Sequence, residues 1–349
     1  MSDPIRVGVI GYGLAGRYFH VPFLKALDEF ELRAVATSRS EAQEQLPSVR
    51  IVAHADDIFE ADDIDLVVIA TPHRLHLPQT LKALKAGKHV VVEKPIAITS
   101  DEIKTVLETA ESTDRLVIPF QNRRWDGDFQ AIQKLVKSGL LGEIHHFETH
   151  WIMFRPQPRG VWRDEPDQLG GILNDLGPHL IDQSLLLFGL PHTISAQVMT
   201  HRVNTNVDDA FRIQMYYDNG LYVLIETDVL NGGNVPRFAI RGTNGTFEKF
   251  GVDPQEAALR AGMNPDAKEW ASWTEKGKLI HGGEDGLNII GEMDIPSGDY
   301  RDFYRGVASA ISHKADSPVL LSDIMNQIHI LEAVRESSQT GNPVKVTKI

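Results

Sequence analysis

The chain has no cysteine, which excludes disulfides, thiolate metal sites and a cysteine nucleophile. It also lacks any apolar run near the ~20 residues that a bilayer-spanning helix needs. Positive charge is in short supply: 35 Lys and Arg stand against 48 Asp and Glu, a formal net charge of −13. The two signs are interspersed without a basic block, which argues against nucleic acid or an anionic membrane as the main partner. The opening MSDPIRVGVIGYG runs straight into a β-rich stretch with no charged-then-apolar leader, so the expected location is the cytoplasm. What is present is ordinary globular material, 42% apolar and 24% charged over 349 residues. That length suits two domains better than one small core.

Residues 6–10, RVGVI, form a short β-branched run; GYGLAG follows at once, then RYFHVPFLKAL with helical spacing. Strand, Gly-rich turn and helix is the setting in which such glycines bind a dinucleotide. Gly11 allows the tight turn, Gly13 the approach of backbone to pyrophosphate, and Gly16 the packing of helix on strand, with Tyr12, Leu14 and Ala15 between them. ELRAVATS, VRIVAH, DIDLVVIATP, KHVVVEKP and RLVIPFQ read as strands, and LPQTLKALKAG and SDEIKTVLETAES as intervening helices. This alternation implies an α/β fold, a doubly wound parallel sheet over residues 1–122. Residues 123–349 then make a second domain, with hairpins at Asp218-Asn219-Gly220 and Asn244-Gly245 and two closing helices, the last stopping at Gly341.

NAD enzymes usually keep an acid at the end of the second strand for the ribose hydroxyl. Here the strand ends Thr37, Ser38, Arg39 with no acid. Two hydroxyls and a guanidinium suit a 2′-phosphate, so NADP(H) is expected ahead of NAD(H). The alternative is that Arg39 is a solvated loop residue.

Three further stretches carry chemistry. ATPHRLH (70–76) and EKP (93–95) follow buried strands, at the carboxyl edge where parallel sheets bind ligands. Lys94 is then either an ammonium aimed into a site or a snorkelling surface residue. NDLGPHLIDQ (174–183) sets Asp175 four residues before His179. Pro178 reads as the first helical position, putting both side chains at the mouth of a helix, with Asp175 an N-cap, a site residue, or both. HHFETHW places His146, Glu148 and His150 on one strand face, either zinc ligands or a polar sheet face. The polar face is the simpler reading, and no metal is expected.

GYGLAG, ATPxxxH, GKHVVVEKP and GGILNDLGPHLID, in this order and spacing, resemble the glucose–fructose oxidoreductase, inositol dehydrogenase and MocA-type (Gfo/Idh/MocA) family of NAD(P)-dependent oxidoreductases. The resemblance covers essentially the whole chain. YGLAGRYFH, TSRSE, NRRWDGDF, FRPQPRGVWR and GVDPQEAALRAGMNPD are similar to stretches of its NADP-dependent scyllo-inositol dehydrogenases. What the resemblance implies is a catalytic set of Lys94, Asp175 and His179: a base at His179, oriented by Asp175, with Lys94 bonded to the developing alkoxide. It implies cofactor contacts from the glycine turn, from Thr37, Ser38 and Arg39, and from Thr71, Pro72, His73, His76, Glu93, Lys94, Pro95 and Asn122. The expected substrate wall is Lys94, Arg123, Trp125, Asp126, Arg155, Trp162, Arg163, Asp175 and His179, donors suited to a ring bearing many hydroxyls. The second domain becomes α+β with an open, mostly antiparallel sheet, one face over the active site and the other a subunit interface of a homodimer or homotetramer. The expected activity is NADP(H)-dependent interconversion of scyllo-inositol and scyllo-inosose. Alternatives are the same chemistry on another sugar or cyclic polyol, or a non-catalytic NADP-binding sensor. For residues 251–266 a subunit-interface role and a substrate-loop role both stay open.

Overall fold

Strand β1 (Ile5–Ile10) is buried along almost its whole length, as the central strand of a sheet covered on both faces must be. It belongs with β2 (Phe30–Ala36), β3 (Arg50–Val52), β4 (Leu66–Ile69), β5 (His89–Val92) and β6 (Val117–Pro119) to one sheet of order β3-β2-β1-β4-β5-β6. Every pair in it is parallel. This is the strand order of the dinucleotide-binding fold, with its switch point beside β1. The computed structural model describes residues 3–282 and 286–347.

By contact the chain forms two units, and each draws on three stretches of sequence. Unit 1 takes Met1–Trp125, Gln255–Ala271 and Asp299–Met325. The sequence expectation divided the chain once, after residue 122. Burial explains why the two later stretches join unit 1: they bring aromatic rings that its first stretch needs. Trp270 and Tyr300 sit edge-on to Phe23 at 6.2 and 6.1 Å, and Phe303 packs on Phe120 at 4.9 Å. Each such ring removes some 150–250 Å² from water.

RYFHVPFLKAL departs from the single helix its spacing predicts. Ala15–His20 is a π-helix, and only Val21–Ala26 is α. Pro22 supplies a reason, since its missing N–H cannot bond the carbonyl one turn back and the preceding turn widens. The helix Ser100–Thr113 is regular, closed by a capping box between Thr99 and Glu102.

Unit 2 takes Asp126–Pro254, Ser272–Gly298 and Asn326–Ile349. Its strands are β7 (Ile144–Ile152), β8 (Thr193–Met199), β9 (Ala210–Tyr216), β10 (Tyr222–Asp228), β11 (Phe238–Gly242), β12 (Gly245–Lys249), β13 (Gly277–Gly282), β14 (Asn288–Met293) and β15 (Val344–Lys345). They form one sheet of order β14-β13-β12-β11-β7-β10-β9-β8-β15 in which only β7 and β10 run parallel. Burial alternates along β10, and Phe147, Ile213, Ile225, Phe238 and Ile240 pack with Phe129, Leu180 and Ile181 of the helices Gly127–Ser138 and Ile172–Phe188. The open, mostly antiparallel sheet is the one expected. The β11–β12 turn is Thr243-Asn244, because Gly242 pairs with Gly245; the expected turn at Asn244-Gly245 lies one residue too far on. Among the described residues no helix is long and apolar enough to cross a membrane.

Candidate active site

The three glycines at the end of β1 have different reasons to be glycine. Gly11 has φ +98°, and a Cβ there would lie 2.4 Å from the Ala70 carbonyl oxygen; a Cβ on Gly16 would lie 2.0 Å from that of Gly11. Both are demanded by packing within the turn. A Cβ on Gly13 would meet no atom within 4 Å. Its bareness therefore serves something from outside, and a dinucleotide pyrophosphate approaching the backbone fits that cradle. Tyr12 is anchored away from the turn, its hydroxyl donating to Gln45 Oε1 at 3.2 Å.

At the end of β2, Thr37 Oγ1 accepts the Arg39 N–H at 3.1 Å. The Arg39 side chain is 55% exposed and pairs with Glu41 at 3.2 Å, an acid five residues past the strand. At the end of β4 the Thr71 hydroxyl donates to Gln79, and Pro72 leads into a short 3-10 turn, His73–Leu75. The His76 ring is fully buried between two carbonyls, Pro95 O and Thr71 O, each at 2.8 Å. Burial pushes its pKa down against the pull of both carbonyls. The ring ties the β4 and β5 ends together.

Lys94 is 9% exposed and follows Glu93 at the end of β5, before a cis Pro95. Behind it lies a buried row that sequence reading missed. His20 Nε2 meets Glu93 Oε1 at 3.2 Å, and His20 Nδ1 meets the Tyr304 hydroxyl at 2.6 Å. The Glu93 carboxylate can only accept, so the His20 Nε2–H donates to it. The available signal was a histidine inside the apolar spacing of RYFHVPFL.

Asn122, Arg123 and Trp125 lie on a 3-10 turn after β6, with Asn122 and Arg123 buried. Arg123 is ion-paired to Glu256 at 2.8 Å, and Gln255 Nε2 donates to Trp125 O. The segment 251–266 thus carries a short helix, Gln255–Arg260, that grips this turn. Trp125 stands edge-on to Phe303 at 5.5 Å.

In unit 2 the helix carrying Asp175 and His179 begins at Ile172, and Gly171, φ +102°, is its N-cap. One expectation is corrected and one alternative falls away. Pro178 lies inside the helix, and Asp175 is a first-turn residue with no capping role. The positive-φ entry at Gly171 starts the helix early because Asp208 Oδ2 accepts the Leu173 N–H at 2.6 Å, a satisfaction supplied from elsewhere in the chain. Asp175 and His179 consequently share a helix face one turn apart, the i, i+4 relation. Asp175 Oδ1 accepts from Arg163 Nε at 3.2 Å, and Arg163 stacks over Trp162 at 4.3 Å. His179 is 5% exposed. Arg155 follows β7, while Asp126, buried, precedes the helix Gly127–Ser138. On β7, Glu148 is shared by His146 at 2.5 Å, Arg241 at 3.4 Å and His150 at 3.8 Å; these residues compensate one another's charge on a polar face.

Two family models match along the chain: the NAD-binding Rossmann fold of an oxidoreductase family over residues 5–120, and that family's C-terminal alpha/beta domain over residues 133–346. The chain belongs to the Gfo/Idh/MocA oxidoreductase family. Among its relatives, scyllo-inositol 2-dehydrogenase (NADP(+)) IolW of Bacillus subtilis is 37% identical over 97% of this chain and 94% of its own. D-glucoside 3-dehydrogenase of Escherichia coli is 31% identical over 54% of this chain and 56% of its own. The solved structure of YvaA from Bacillus subtilis matches with TM-score 0.94 at 35% identity, covering 99% of this chain and all of that one (100%). A Yersinia pestis protein of this fold matches at 0.95 and 34%, covering 100% and 99%.

Proposed function

We propose that this family member is an NADP(H)-dependent enzyme interconverting scyllo-inositol and scyllo-inosose. The observation that carries the reading is the whole-length likeness to IolW. Thr37, Ser38 and Arg39, where NAD enzymes keep an acid, support the cofactor choice. When bound, the nicotinamide accepts or supplies the hydride; the chain's work is with protons and charge.

Oxidising a secondary alcohol requires the hydroxyl proton to leave as the carbon gives up hydride. His179 takes that proton, a task suited to a neutral imidazole near pH 7. Asp175 orients the ring and favours its protonated form, while Arg163 holds the carboxylate in place. The Lys94 ammonium bonds the substrate oxygen and stabilises its developing negative charge. In reduction His179 returns the proton to the ketone oxygen. Trp125, Arg155 and Trp162 contribute to holding the polyol ring. The polar outer face of the nine-stranded sheet, with His146, Arg212 and Tyr222, is the subunit interface in this reading, and the enzyme works in the cytoplasm.

The test is NADPH oxidation with scyllo-inosose, with NADH run beside it. Rapid turnover with NADPH is expected. His179→Ala should lose ~10²–10⁴-fold in kcat while still binding NADPH. Arg39→Ala should lower kcat/KM for NADPH by roughly 10- to 150-fold, the worth of one charge-assisted bond, with little change for NADH. A second reading, a sugar substrate, is favoured by the likeness to D-glucoside 3-dehydrogenase; turnover of a D-glucoside but not of scyllo-inositol would select it.

A further inference from the structure

Unit 2 contains a cavity whose lining is dominated by guanidinium groups. Arg155, Arg159, Arg163 and Arg202 face it together with Asp164, Asp175 and Asp208; one Asp164 oxygen accepts the Val161 N–H. Two of the four cations are matched: Arg163 by Asp175 at 3.2 Å, and Arg202 by the buried Asp209 at 3.1 Å. Asp208 is spent on the backbone, accepting the Leu173 N–H. Arg155 and Arg159 have no carboxylate within 4 Å among the described residues. The side-chain hydrogen bond of Arg155 runs to the Met153 sulfur, a weak acceptor, and its Nε is buried without a partner. Burial, and then the nearby charges of Arg159 and Arg202, push the Arg155 pKa down against the smaller pull of Asp175 and Asp164. A half-buried guanidinium with one buried, unmet donor and cationic neighbours gains when something negative completes it.

We propose that this cavity is an anion subsite that receives a carboxylate carried by the substrate, with Arg155 as its principal donor and Arg159 as its outer one. The cavity measures about 30 Å³, room for roughly two water-sized atoms. A planar guanidinium fork meets a carboxylate with two parallel bonds. Asp175 lines the same cavity, so the carboxylate would stand next to the residue assigned above to the proton-handling pair. The inference rests on the oxidoreductase reading and adds to it a second class of substrate, sugars or cyclic polyols bearing an acid group, beside the neutral ring proposed above.

The experiment is calorimetric titration of the full chain, loaded with NADP, against D-glucuronate and D-glucose, which differ only in the carboxylate. Inorganic phosphate is the third titrant. Glucuronate is expected to bind roughly tenfold or more tightly than glucose. Arg155→Gln should bring the ratio to near one, and Arg159→Gln, an exposed position whose change leaves the fold alone, should reduce it in part. Equal affinity for the two sugars, a preference that survives both variants, or glucuronate binding weaker than ~10 mM overturns the subsite. Phosphate binding more tightly than glucuronate overturns the carboxylate assignment. Turnover of scyllo-inosose is scored separately. An enzyme that reduces it yet ignores the carboxylate keeps the proposed function and loses the subsite. A protein that holds glucuronate through Arg155 but reduces no ketone does the reverse.

Discussion

Glu93 and Asp128 are both largely shut away from water, one behind Lys94 in unit 1 and the other in the first turn of Gly127–Ser138 in unit 2. Burial pushes both carboxyl groups up. For Glu93 that push is outweighed by the His20 hydrogen bond and by the charges of His20 and Lys94, and its pKa ends below the ordinary range. For Asp128 it is reinforced by the neighbouring Asp126, and the pKa is raised to about 6. Arg237 and Lys249 pull the other way without winning, Asp128 Oδ1 accepts one backbone N–H, from Phe129, and Oδ2 is buried without a partner. Depth below the surface therefore does not decide the state of a buried acid. What decides it is whether donors reach the oxygens themselves.

The largest break in this comparison comes from His20→Ala. It strips the donor from Glu93 and leaves Tyr304 facing a void, and a loss of about 3 kcal/mol in denaturant unfolding is expected at pH 7. The contribution of Glu93 in the native protein is present at neutral pH and falls away as pH drops through its lowered pKa. The loss in the variant should therefore be smaller at pH 4. Asp128→Asn acts in the opposite direction. A raised pKa means stability that is full below the ordinary value of 3.8 and lost as pH rises through about 6. The amide removes that loss, so the variant should gain ~2 kcal/mol at pH 8 and nothing at pH 4. A melting temperature that changes equally at both pH values would refute it. The smallest effect is that of Tyr304→Phe, which deletes one hydrogen bond on His20 and keeps the ring; about 1 kcal/mol is expected.

Much of this was legible beforehand, for reasons that differ by element. The parallel sheet was readable because each strand is a continuous apolar run between turn residues, and GYGLAG sits where its geometry requires it. Asp175 and His179 were visible as a pair, yet the helix start was misplaced. The donor that lets the helix begin at Ile172 is satisfied by Asp208, 35 positions away in sequence. Arg123 reads as a donor in NRRWDGDF, but its partner Glu256, 133 positions on, is not visible from that stretch. The row His20–Glu93–Tyr304 spans 284 positions, and no local pattern announces it. Side chains whose duty is set by neighbours close in sequence could be read; those answering to a distant stretch could not.

The threading of unit 1 through three stretches of chain has a consequence for how such a molecule can be inherited. A gene fragment ending at codon 125 would encode all six parallel strands and the glycine turn. It would lack Trp270, Tyr300, Phe303 and Tyr304, and so leave Phe23 and Phe120 without their covering rings and His20 without its phenol. The covering of the parallel sheet is thus written into residues 255–271 and 299–325, and a transfer of residues 1–125 alone would leave it behind.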